Sequence, residues 1–181
     1  NEKLKQELEQ ELKLIPNKIE TLLENKDYEK IAKELYSKQD IFFIGRNVDY
    51  ALCMEGSLKL KEISYIHSEA YAAGELKHGT ITLIDSNTPT IAIITKKSIA
   101  SKTISNVKEI KSREGKIILV TSSDTYNIND SDYDYEIVIP KTKEIFRPIL
   151  AIVPLQLISY YVAKLKGCDI DKPKNLAKSV T

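Results

Sequence analysis

Four short apolar runs separated by stretches of helical rhythm constrain the fold of this chain more than any other feature. The runs are DIFFIGR (40–46), TPTIAIITK (88–96), KIILVTSS (116–123) and YEIVIPK (135–141). Each is too short for a core helix and too uniformly apolar to keep one wet face. Strands of that kind belong in a parallel sheet covered on both sides. The intervening stretches 49–64, 98–115 and 145–166 have helical spacing and supply the covering layers. The predicted fold class is therefore α/β, a three-layer α/β/α sandwich with a parallel sheet. Residues 1–39 show no strand-like alternation and read as a helical N-terminal arm packed outside the sandwich, with a new helix opening at Pro16. The segment SYIHSEAYAAGELKHG (64–79) runs from helix to strand without a clear strand of its own.

The longest apolar run, ILAIVPLQLISYYVA (149–163), is interrupted by Pro154 and Gln156. It falls short of the ~20 residues a membrane helix needs, so it reads as a buried helix kinked at, or starting from, Pro154, and no membrane partner is expected. A chain of 181 residues can bury one good-sized core. Its net charge of +1 gives no field for nucleic acid or an anionic surface. Cys53 and Cys168 lie far apart, outside any C-x-x-C and away from a His cluster. Free thiols, a reducing cytoplasm, and neither metal nor cofactor are the expectation.

Ligands of open parallel sheets sit beyond the carboxyl ends of the strands. Three places qualify: the loop after Arg46, the stretch after strand 88–96, and Thr121-Ser122-Ser123. The three hydroxyls could imitate a phosphate-binding loop, although an ordinary turn is the plainer reading. A second candidate lies on the helix over 49–64. At 100° per residue, Leu52, Gly56, Leu60 and Ile63 form one apolar arc, and Ala51 and Leu58 another. Glu55, Lys59 and Glu62 fall between the arcs, with Ser57 and Lys61 on the side expected to face solvent. An intrahelical ion-pair ladder would explain the triplet. So would an acid/base cluster in a partly dry cleft, where burial and neighbouring charge tune proton affinity. Both histidines follow closely. His78, before Gly79, belongs at a turn, and His67 is given no role.

The run EGSLKLKEISYIHSEAYAAGELKHG (55–79) closely resembles the signature of the glutamine–fructose-6-phosphate aminotransferase (glucosamine-6-phosphate synthase) family. PLQLISYYVAKLKGCDIDKPKNLAKSV (154–180) resembles the last helix and tail of that family, and LKLIPNKIETLL (12–23) resembles its linker helix. The resemblance implies a flavodoxin-like sugar-isomerase (SIS) domain over 40–167, the second of two, with an arm at 1–39 and a tail at 168–181. It implies that Lys178 forms a Schiff base with open-chain fructose 6-phosphate, and that Glu62 shuttles a proton between sugar carbons 1 and 2. His78 would assist ring opening from across a homodimer interface, and Glu55 and Lys59 would tune the Schiff-base lysine. The implied activity is formation of glucosamine 6-phosphate from fructose 6-phosphate and glutamine-derived ammonia. The glutaminase and first SIS domain would be partners outside these residues. The alternative is a non-catalytic phosphosugar-binding regulatory module.

Overall fold

The computed structural model describes residues 2–125 and 130–175. Two helices open the chain, α1 (Glu2–Leu23) and α2 (Asp27–Leu35). The sandwich follows as β1 (Asp40–Gly45), α3 (Val48–Ser64), β2 (His67–Ala72), β3 (Thr90–Ile94), α4 (Lys97–Lys111), β4 (Ile117–Ser122), β5 (Tyr135–Ile139) and α5 (Arg147–Leu165). Two single-turn 3₁₀ helices, Glu75–Lys77 and Thr80–Leu83, link β2 to β3. All strand pairs are parallel, in the order β2-β1-β3-β4-β5.

The period of two in a strand sends alternate side chains to opposite layers. Ile41, Phe43, Ile91, Ile93, Ile118, Val120, Ile137 and Ile139 join the core formed with α2, α3 and α5. Phe42, Ile44, Ala92, Ile94, Ile117 and Leu119 join a second core under α4. Both faces of the central strands are therefore dry, which is why their sequences read as unbroken apolar runs.

Four local readings of the sequence are revised. Residues 67–72 form a true strand, β2, paired in register with β1 from Asp40↔His67 to Gly45↔Ala72. It is an edge strand in which only Ser68 is fully buried, so its composition stays polar. Helix α1 runs unbroken through Pro16. The proline ring lies on the exposed side, where water can satisfy the carbonyl that loses its donor. Pro154 lies inside α5, whose first turn carries Pro148 instead. On α3, Ser57 is buried and donates to the Ser68 carbonyl at 2.9 Å, whereas Ala51 and Leu58 are exposed. The second apolar arc is thus an outer surface, and the serine side packs on β2.

The arm is continuous with the core: Tyr28, Ile31, Ala32 and Leu35 of α2 are completely buried in the α5-side cluster. By length and composition, Glu144–Leu165 could cross a bilayer, but half of it is buried inside the domain. Two glycines let α3 sit close. A Cβ at Gly45 would meet the Asp49 backbone at 2.6 Å, and one at Gly56 would meet Leu155 Cδ1 at 2.7 Å and Phe43 Cε1 at 3.1 Å. These contacts set the rotation of α3, and with it the direction in which its charged edge points.

Candidate functional site

Helix α3 begins at the carboxyl end of β1 and ends where β2 begins, at the amino ends of the strands. Its charged edge runs toward that amino end. The triplet comes together: Lys59 Nζ lies 2.7 Å from Glu62 Oε2 and 3.6 Å from Glu55 Oε1. The side chains are one-quarter to one-half exposed, so water screens the pairs only in part. The hydrogen bond to Glu62 holds the Lys59 ammonium above its usual proton affinity, against a smaller opposing effect of burial. Lys59 is therefore a fixed positive charge near neutral pH. It cannot be an amine nucleophile there, because that role needs the neutral form.

The groove flanking α3, of 340 Å³, lies on its other side against β2 and is lined by Tyr50, Met54, Lys61, Glu69 and Tyr71. The charged edge is open to whatever surface is placed over it.

The end of α3 is shaped to receive the tail. Tyr65 caps the helix in the left-handed region (φ 59°), its N–H donating to the Lys61 carbonyl. A tyrosine in that conformation is strained and persists only where its surroundings demand it. Here its phenol oxygen accepts the backbone N–H of Lys174 at 2.7 Å. Lys178 lies outside the described residues. It follows Lys174 by four residues, a reach of at most about 14 Å, and Glu62 lies one helical turn before Tyr65.

His78 is exposed at the end of the Glu75–Lys77 turn. Leu76 before it, and Ile81 and Ile84 after it, pack into the core under α4. His78 thus belongs to a segment on the face of the sheet opposite α3, and among the described residues nothing joins it to the triplet. His67 Nδ1 lies 2.6 Å from Asp40 Oδ1, pinning the first residues of β2 and β1 together.

The carboxyl ends of the strands contain a group that the sequence reading missed. Asp49, in the first turn of α3, is 1% exposed, and Oδ2 accepts the Thr95 N–H at 3.0 Å while Oδ1 accepts the Thr95 hydroxyl. Burial raises its proton affinity, opposed by hydrogen bonds from Thr95 and the Lys96 backbone and by the Arg147 charge. Arg147 donates to the Thr95 carbonyl and, at 2.7 Å, to Asp124 Oδ2. Thr121 donates to the Ile94 carbonyl of β3 at 3.0 Å and Ser122 to Asp124 at 2.7 Å, so the first hydroxyl joins the two strands and the second serves the turn. Cys53 and Cys168 are both free thiols, and burial pushes the Cys53 thiol well above its usual range, away from reactivity.

Residues 34–166 match the family model described as the SIS domain. The chain belongs to the SIS domain family. This SIS domain is 53% identical over 177 residues to the glutamine–fructose-6-phosphate aminotransferase of Clostridium tetani, covering 97% of this chain and 29% of that protein. The Synechocystis enzyme of the same name is 45% identical over 94% of the chain and 27% of its own length. The SIS domain thus spans under a third of these relatives. The C-terminal domain of the Francisella tularensis glucosamine-fructose-6-phosphate aminotransferase superposes with a TM-score of 0.81 at 36% identity, covering 90% of this chain and 46% of that one. An Escherichia coli tagatose-6-phosphate ketose/aldose isomerase shares the fold at 12% identity, with a TM-score of 0.71 over 83% of this chain and 42% of that one.

Proposed function

We propose that this SIS domain is the second sugar-isomerase half of a glucosamine-6-phosphate synthase. The observation that carries the reading is the Lys59 ammonium fixed between Glu55 and Glu62, with the tail tied to Tyr65 one turn away. In this reading the Lys178 amine attacks C2 of open-chain fructose 6-phosphate, and an imine forms with loss of water. Ammonia from a glutaminase domain then displaces the lysine. The Glu62 carboxylate takes a proton from C1 of the resulting fructosimine and returns it to C2, leaving the aldose, glucosamine 6-phosphate. Lys59 and Glu55 set the field in which Lys178 loses its proton.

His78 assists ring opening. Because its segment packs on the far face of the sheet from α3, it meets the triplet of a second copy, which makes the working unit a homodimer. The open triplet edge is covered by the first SIS domain, and the enzyme acts in the cytoplasm.

The test is borohydride reduction of the chain with fructose 6-phosphate, with adducts mapped by peptide mass and Lys178→Ala as control. An adduct on Lys178, with the chain alone or after adding the missing half in trans, supports the reading. No adduct under either condition removes Lys178 from the mechanism. The alternative of a non-catalytic regulatory module predicts phosphosugar binding with no adduct.

A further inference from the structure

The strand order places the topological switch between β1 and β3, since the chain leaves β1 for β2 on one side and returns to β3 on the other. In sheets of this kind the crevice beyond those carboxyl ends is where a ligand binds, with backbone N–H groups facing an anion. We propose that in this chain the crevice is filled by its own Asp49 carboxylate, which takes the place of a bound anion and so denies this half a phosphate site.

Three observations converge. The Asp49 carboxylate accepts the N–H and hydroxyl of Thr95, and it is almost completely buried. Both arginines at the strand ends are turned inward. Arg46 Nη2 donates to Asn106 Oδ1 at 2.9 Å, and Arg147 bridges the Thr95 carbonyl and Asp124. The guanidinium is thus paired with Asp124, and its charge also acts on Asp49, while its Nε is buried without a hydrogen-bond partner among the described residues. A phosphate brought here would displace a carboxylate from its donors and meet a second one.

The same contacts make Asp49 a positioning residue. It locks the first turn of α3 to β3 and, through Thr95, to the first turn of α5, so the charged edge of α3 leaves the sheet at a fixed angle. The consequence for catalysis rests on the function proposed above: the sugar phosphate must be held by a surface other than this crevice. The filled crevice itself does not depend on that function.

Titration calorimetry with inorganic phosphate, at constant ionic strength, tests the proposal on the 181-residue chain. Asp49→Ser removes the charge and opens the space, and it is expected to bind phosphate at least about tenfold more tightly than wild type. Adding Thr95→Val should cancel that gain. Asp49→Asn keeps the size and guards against loss of folding, which circular dichroism checks; it should show a smaller gain. If Asp49→Ser does not fold, Asp49→Asn decides. The proposal is overturned if wild type binds phosphate and Thr95→Val or Arg147→Lys weakens that binding. It is equally overturned if the folded charge-free variants bind no better than wild type. Neither sugar nor Lys178 enters the measurement, so its failure and a failed borohydride labelling are told apart.

Discussion

The two ends of the sheet use charge in opposite ways. At the carboxyl end, Asp49, Thr95, Arg147 and Asp124 are joined by hydrogen bonds, with Asp49 and Arg147 only 1% and 7% exposed. Toward the amino end, Lys59 pairs with both Glu55 and Glu62, and all three remain open to solvent or to a covering surface. Removing a member of the first group strands a buried charge, which is costly. Removing a member of the second costs the fold little. Charges that the fold does not need are the ones available for chemistry, so activity and stability should separate between the two ends.

The sharpest separation is expected at Glu62. On the function proposed above, Glu62→Gln in the full-length protein should lower kcat by about 10²–10⁴-fold, the usual contribution of a positioned acid/base group. The unfolding free energy of the isolated chain, from urea melts, should change by no more than about 0.5 kcal/mol, as for surface substitutions. A large stability loss with little change in kcat would reverse the roles given to the two ends.

Arg147→Ala is the converse probe. It leaves the Asp124 carboxylate and the Thr95 carbonyl without the guanidinium donor and removes the positive charge that acts on buried Asp49, and it should destabilise the chain by about 3–5 kcal/mol. Urea unfolding measures it. A cost below about 1 kcal/mol would mean that the ring does not hold the carboxyl end together.

Much of this division was invisible in the sequence, for physical reasons. The three central strands, β1, β3 and β4, could be read because both their faces are buried, and the edge strand β5 because its Ile137 and Ile139 still pack into the core. β2 could not, because an edge strand keeps polar side chains and only Ser68 is fully buried. The triplet was legible because helical spacing of 4 and 3 residues brings Glu55, Lys59 and Glu62 together locally. The carboxyl-end ring was not, because Asp49 and Arg147 meet Thr95 across 46 and 52 residues of chain. Ser57 misled for a related reason: a serine faces the interior when a strand carbonyl waits for its hydroxyl, here that of Ser68. The position of Lys178, read from resemblance alone, lies outside the described residues.

The pH dependence of Asp49 gives a subtler test of the same contrast. Burial raises its folded pKa above the unfolded value of 3.8. The folded state therefore holds the proton more tightly, and the stability it contributes is present below pH 3.8 and lost as pH rises through the folded pKa. Relative to Asp49→Asn, wild type should lose stability across that window. Carboxylates with lowered pKa, such as Glu11 and Asp85, have the opposite slope but are common to both proteins, so they cancel in the difference. Thermal unfolding of the pair from pH 3 to pH 7 reads it. A flat difference would mean that the hydrogen bonds from Thr95 fully offset burial.

The smallest expected effect is on the stability of Lys59→Met. Two partly exposed pairs are lost, and the cost should stay within about 0.5 kcal/mol. Its sign with pH is fixed by the raised folded pKa of Lys59. The pairs contribute below the unfolded value of 10.5 and fade as pH rises through the folded one, so the variant should differ from wild type near pH 7 and converge with it in strong alkali. Denaturant melts at pH 7 and at pH 11 measure both. A cost of several kcal/mol would mean that the triplet is part of the core, and the open edge of α3 would then have no charge free to act on a sugar.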